Sequence, residues 1–283
     1  MKTRLISSAV ALAIGIGVMF LIFTPVFPIF AAFLSVFAAY EIMNVAKIKS
    51  KLILIPALVF SAIMPNYFAY KALLPFEIPE GAVVALYVIL MMSLMLKVHK
   101  QTRFEQVAIA LYASIFVPYA FSSAVSIRDI HTTYAGIYTK AEAVYLVLFA
   151  LFCALLTDSF AYFVGRKFGK HKMAPVISPK KSIEGAVGGL ILSSAFNIAV
   201  FAGVREWIFG GETAINFVFI AVMSVLLSAI SMLGDLTASL LKRNFGVKDF
   251  GNIMPGHGGI MDRFDSCIFV IPVLAAGIKF VNM

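Results

Sequence analysis

An all-α, polytopic integral membrane protein with about nine transmembrane helices is what this sequence predicts, and three observations carry that prediction. Of 283 residues, 61% are hydrophobic and only 13% are charged, with a mean hydropathy of +0.98. Soluble domains carry about 45–50% apolar and about 25% charged residues, so no water-soluble core needs this excess. The apolar residues also fall in long runs, and a helix needs about 20 of them to cross a bilayer. Finally, the basic residues concentrate on alternate connections between those runs, as cytoplasmic loops require.

The expected spans are residues 5–23, 27–45, 52–67, 82–96, 104–126, 142–165, 184–204, 215–241 and 260–281. The third and fourth are short. The first follows Lys2 and Arg4, as a signal peptide does. Its apolar part is too long and no small-residue cleavage site follows it, so it is expected to be retained. Pro25, Pro28, Pro56 and Pro65 are expected to break or kink their spans.

Nine spans place 18 of the 23 basic residues on one side, with the N-terminus, and leave only Lys71, Arg128, Lys140, Arg205 and Lys279 on the other. This puts the N-terminus in the cytoplasm and the C-terminus on the opposite side. The net charge of +9 is then an orientation signal, and nucleic acid is not needed to explain it. The two cysteines, Cys153 and Cys267, each sit in an apolar run and read as small buried residues rather than a disulfide. Two cytoplasmic loops, 166–183 and 242–259, go beyond the orientation signal because they are long, basic and rich in Gly and Pro. Residues 1–141 therefore read as a five-helix membrane scaffold. Residues 142–283 read as a catalytic membrane region of four helices with two basic cytoplasmic loops.

Acids within spans sharpen this. An Asp near a span centre costs roughly 2.5–3.5 kcal/mol on insertion scales, so it is expected to face a polar cavity or a partner. Asp158, Asp235, Asp262 and Asp265 qualify, whereas Glu41 lies by a cytoplasmic boundary and reads as structural. Asp235, Ser239 and Lys242 are spaced for one helical face, and so are Asp262 and Asp265. Asp158, Tyr162 and Gly165 form a third stripe running toward Arg166. The eighth and ninth spans are joined by one loop, so Asp235 and Asp262 can face one another and bind a divalent cation such as Mg²⁺, which takes one or two carboxylates plus substrate phosphates. The plainer alternative is a set of ion pairs, Asp235 with Lys242 or Arg263 and Asp158 with Arg166.

The loops supply the matching cations and donors. Successive backbone N–H groups in P-G-H-G-G, with Gly258 and Gly259, can form an anion-binding nest, and His257 can donate to a phosphate or move a proton. In S-P-K-K-S-I-E-G, Lys180 and Lys181 stand beside Ser182, a candidate N-cap, so cations lie next to a helix N-terminus. The P-loop pattern, H-E-x-x-H, G-x-S-x-G and cysteine-rich zinc spacings are all missing from the sequence. Metal-assisted phosphoryl or nucleotidyl transfer needs positioning and charge neutralisation more than a protein nucleophile, and it fits best.

Residues 239–265 read S-L-L-K-R-N-F-G-V-K-D-F-G-N-I-M-P-G-H-G-G-I-M-D-R-F-D. This stretch resembles the C-terminal pattern of the phosphatidate cytidylyltransferase (CDP-diacylglycerol synthase) family. A second stretch, from T-D-S-F-A-Y-F-V-G at Thr157 to S-P-K-K-S-I-E-G-A-V-G-G ending at Gly189, is also similar to it. The chain departs at Ser182-Ile183, where that family more often has Thr-Trp, and at Met254. The resemblance implies that CTP and phosphatidate react to give CDP-diacylglycerol and pyrophosphate at the cytoplasmic face of a bacterial inner membrane. It implies Mg²⁺ and a second metal ion held by Asp235 and Asp262, with Asp265 as an alternate or outer ligand. Asp235, Asp262, His257, Lys248 and Asp249 would be catalytic. Ser239, Lys242, Arg243, Gly258, Gly259, Arg263, Lys180, Lys181, Asp158 and Glu184 would bind substrate. A homodimer is compatible with this reading. The competing readings are a secondary transporter of a phosphorylated or organic anion and another lipid phosphoryl-transfer enzyme. Transport is disfavoured because paired repeats are missing and the polar chemistry lies in the second half.

Overall fold

The computed structural model describes residues 2–76, 78–254, 256 and 258–282, with side chains described from residue 7 onward apart from residue 8. Twelve α-helices account for most of it: α1 (Lys2–Phe20), α2 (Val26–Val45), α3 (Lys51–Tyr70), α4 (Glu80–Val98), α5 (Phe104–Leu111), α6 (Val117–Arg128), α7 (Ile130–Thr133), α8 (Lys140–Phe168), α9 (Ile183–Trp207), α10 (Phe217–Asn244), α11 (Met261–Phe264) and α12 (Cys267–Val281). The only strands among the described residues, β1 (Lys172–Ala174) and β2 (Ser178–Ser182), pair antiparallel. The first basic loop therefore contains a small β-hairpin.

Among the described residues, seven helices are long and apolar enough to cross a membrane, and the apolar helices Ala9–Phe20 and Cys267–Val281 are shorter. The third and fourth spans are full length: α3 continues through both Pro56 and Pro65, and α4 runs for 19 residues. Pro25 caps the start of α2 and Pro28 lies in its first turn, where a missing N–H costs no hydrogen bond. In the fifth span, α5 gives way to a π-helical turn, Tyr112–Phe116, which ends two residues ahead of Pro118. A proline ring without an N–H is a regular cause of such a register change.

The chain packs as two compact units. One comprises Met1–Ser126 with Phe245–Phe264, and the other Ile127–Asn244 with Asp265–Met283. The division into 1–141 and 142–283 expected from the sequence is one of roles and does not follow packing. The glycine-rich loop belongs with the N-terminal helices, because α11 packs on α2.

In the second unit α8 and α9 lie unusually close. A Cβ on Gly185 would sit 2.7 Å from the Ala161 carbonyl, and one on Gly189 would sit 2.8 Å from Ala161 Cβ. Small residues allow such approach in membranes, where apolar burial alone gives helices little reason to associate. Hydroxyls then join the helices. Thr157 Oγ1 donates to Cys153 O at 2.6 Å and lies 3.1 Å from Ser193 Oγ, Ser228 Oγ approaches Ser193 Oγ at 3.3 Å, and Ser231 Oγ donates to Ala154 O at 3.3 Å. Both cysteines are buried and free, as expected.

At the start of α8, Thr139 and Glu142 form a reciprocal capping box. Glu142 is 2% exposed and also accepts from Thr213 Oγ1 at 2.5 Å and Ala214 N at 2.9 Å, tying the α9–α10 connection to α8. Substituting Gly189→Val is expected to prevent the α8–α9 approach and cost about 3 kcal/mol or more. Loss of the monodisperse protein on detergent gel filtration, or a large fall in its thermal midpoint, checks this.

Candidate active site

The second unit gathers part of the expected site around Lys181, the residue before the N-cap of α9. The Lys181 ammonium pairs with the Asp235 carboxylate from α10, and both side chains are about a quarter exposed or less. Burial pushes the Lys181 ammonium below the usual lysine range, the carboxylates of Asp158 and Asp265 oppose that, and Lys242 adds to it. Asp235 is thus held by a lysine of the other basic loop, not by the Lys242 or Arg263 that loop proximity nominated. Ser239 Oγ stands 3.5 Å from Asp235 Oδ1, as the i, i+4 spacing implies. Asp158 Oδ2 accepts from Ser266 Oγ at 3.1 Å, while Arg166, its expected partner, approaches Tyr162 OH at 3.4 Å.

Asp265 lies in a two-residue break between α11 and α12, where its Oδ1 accepts from Ser266 N at 2.8 Å. The ninth span is therefore not one helix, and Asp262 and Asp265 do not share a continuous helical face. Close packing accompanies the break. A Cβ on Gly234 of α10 would sit 2.8 Å from the Asp265 carbonyl and 3.1 Å from Ser266 Cα.

The β-hairpin is fixed at three points. Ser182 caps α9 by accepting from Gly185 N at 3.2 Å, as expected. Glu184 turns back onto the chain, taking the backbone N–H of Lys170 at 3.0 Å and pairing with His171 Nδ1 at 2.6 Å. Arg243 Nε donates to Ile177 O at 3.3 Å. Lys180 is exposed on β2.

In the first unit, the glycine-rich loop presents Lys248, Asp249 and Arg263 to its surface, while Phe250 is buried. Pro255 and His257 lie outside the described residues, so the expectation for His257 falls there too. Gly256 and Gly258 have positive φ, +78° and +86°, and Met254 bridges to Gly258, which folds the strand-like arms onto each other. Of the expected anion nest, the Gly259 N–H is given to a carboxylate of the protein itself. Asp262 Oδ2 accepts from Gly259 N at 3.0 Å and Phe250 N at 2.8 Å. The next two N–H groups, of Ile260 and Met261, donate to Glu41 at 3.0 and 2.8 Å. The ordering role of Glu41 was missed because its partners lie more than 200 residues away in the chain. The only signal in the sequence was an acid inside an otherwise apolar helix.

As a class, this is a helical integral membrane protein with two basic loops and with the carboxylates of Asp158 and Asp235 set inside its long helices. Comparison with known proteins makes it more specific. The cytidylyltransferase family matches residues 2–281. The phosphatidate cytidylyltransferase of Staphylococcus haemolyticus (strain JCSC1435) is 34% identical over 97% of this chain and 97% of its own length. That of Bacillus subtilis (strain 168) is 32% identical over 84% of this chain and 82% of its own. That of Staphylococcus saprophyticus is 46% identical over 48% of this chain and 50% of its own. The chain belongs to the cytidylyltransferase family, and so to the nucleotidyltransferases.

Replacing Lys181 by Met would leave Asp235 without its ammonium, with Asp158 and Asp265 nearby. The expected cost is about 1–3 kcal/mol, read as a lower thermal midpoint that Lys181→Arg largely recovers.

Proposed function

We propose that this chain is a phosphatidate cytidylyltransferase, converting CTP and phosphatidate to CDP-diacylglycerol and pyrophosphate at the cytoplasmic face of a bacterial inner membrane. The end-to-end match to a relative of that name carries the reading. In the reaction a phosphate oxygen of the lipid attacks the α-phosphorus of CTP. One P–O bond forms, the bond to the β-phosphate breaks, and pyrophosphate leaves without any change of oxidation state. Both reactants are anions, so the chain must bring them together with cations. Lys180, Lys242, Arg243, Lys248 and Arg263 suit that task, since they lie on the two basic loops or at the helix ends beside them.

Among the described residues no three acidic, histidine or cysteine side chains are gathered closely enough to hold a metal ion by themselves, so a hard divalent cation would need substrate oxygens as well. Asp235, Asp158 and Asp265 already act on one positive charge, the Lys181 ammonium, and Ser239 Oγ lies close to Asp235. Carboxylate and hydroxyl oxygens are what Mg²⁺ takes. Asp235 would be a ligand of that metal, with Asp265 as a further one, and Asp262 is assigned as a ligand carboxylate of the glycine-rich loop. When bound, the metal would neutralise triphosphate charge and polarise the α-phosphoryl group. Lys181 would balance the carboxylates at rest. His257 contacts a phosphate or moves a proton in this reading, and Asp249 and Glu184 orient the loops.

With phosphatidate, CTP and Mg²⁺ supplied, Asp235→Asn and Asp262→Asn are each expected to lower pyrophosphate release about 100-fold or more while the protein remains folded. Near-full activity in either variant would overturn the assignment of that carboxylate. Chelation should abolish turnover and added Mg²⁺ should restore it, so activity that survives chelation would remove the metal from the reading.

A further inference from the structure

One acid of the N-terminal unit takes no part in the chemistry proposed above, yet it is among the most completely engaged side chains of that unit. Glu41 lies near the C-terminal end of α2 and is 3% exposed. Its Oε1 accepts from Ile260 N at 3.0 Å and its Oε2 from Met261 N at 2.8 Å. Both carboxylate oxygens are thus bound to successive backbone N–H groups where α11 begins, and the next residue is Asp262. A buried carboxylate is costly unless such donors answer it, and charge-assisted bonds of this kind are stronger than neutral ones.

Two glycines close around the same carboxylate. A Cβ on Gly251 or on Gly259 would run into the Glu41 carboxyl group. Neither glycine has the positive φ seen at Gly256 and Gly258. Glycine is needed at these two positions for space and not for backbone freedom. The two arms of the loop and the start of α11 are therefore built around one side chain from a helix more than 200 residues earlier.

We propose that Glu41 is a positioning residue for nucleotidyl transfer: it clamps the glycine-rich loop onto α2 and so sets where Asp262 is presented. The kinetic consequence rests on the role given to Asp262 above, whereas the clamp does not. A glutamine at this position would turn an –NH₂ toward one of the two N–H groups, pairing donor with donor. An aspartate is one methylene too short to reach both.

The test compares Glu41→Gln, Glu41→Asp, Glu41→Ala, Gly251→Ala and the Glu41→Ala/Gly251→Ala double variant in full-length protein in lipid nanodiscs. In Glu41→Gln, deuterium exchange in residues 258–264 is expected to speed up at least about tenfold while the α8–α10 helices keep their protection. Turnover should fall at least about tenfold with the KM for CTP changed less than about threefold. Glu41→Asp should recover part of both. Gly251→Ala alone should be impaired, but it should add little to Glu41→Ala, because the group it collides with has gone. Unchanged exchange, a loosened loop with normal turnover, or fully additive effects would each overturn the proposal. Loss of activity in step with loss of folded protein would also overturn it. If Asp262→Asn stays active while the exchange and coupling results hold, the role of Asp262 fails and the clamp stands.

Discussion

A carboxylate buried beside apolar helices has to be met by hydrogen-bond donors, and in each unit a glutamate meets backbone N–H groups from a distant segment. Glu41 takes those of Ile260 and Met261, and Glu142 takes that of Ala214 in addition to the local N–H of Thr139. Where water and lipid headgroups offer easy alternatives, such a buried charge persists only if its donors are well placed. The consequence at Glu41 reaches furthest. It makes the glycine-rich loop part of the N-terminal unit, so the N-terminal helices help to shape that loop.

The second unit solves a different problem. Its helices must hold together without the apolar driving force that water provides, and they do so by small residues and hydroxyls. Gly185 and Gly189 let α9 approach Ala161 and Thr157 of α8, and Ser193, Ser228 and Ser231 lie along the same seam. This fixes the helices that carry Asp158 and Asp235 and the start of α9 beside Lys181. The positive charge at Lys181 then lets carboxylates accumulate without mutual repulsion.

Much of this was legible in the sequence. Composition and run length predict the class, and the boundaries of α2, α4, α8 and α9 fall within a few residues of the apolar runs. The Ser182 cap and the Asp235–Ser239 face follow from local spacing. Features that depend on close approach between segments were not legible. The break after Phe264 accompanies packing against Gly234, which no local pattern announces. The P-G-H-G-G stretch reads as a phosphate nest because glycine spacing cannot say whose anion fills it. The structure gives its last N–H, that of Gly259, to Asp262, and the two that follow it, those of Ile260 and Met261, to Glu41. The pairing of Lys181 with Asp235 was hidden for the same reason, since a strand and a helix from separate segments bring it about.

The chemistry asks one thing of this architecture, that two anions meet and the α-phosphorus of a nucleotide be transferred to a lipid. The position of the transferred atom tests that claim most directly. Purified protein in phosphatidate-containing vesicles can be given CTP labelled at either the α- or the γ-phosphorus, and the lipid phase counted over time. The account predicts α-label in lipid, in step with γ-label released as pyrophosphate. Label from the γ-position in lipid, or γ-label released only as inorganic phosphate, would contradict it.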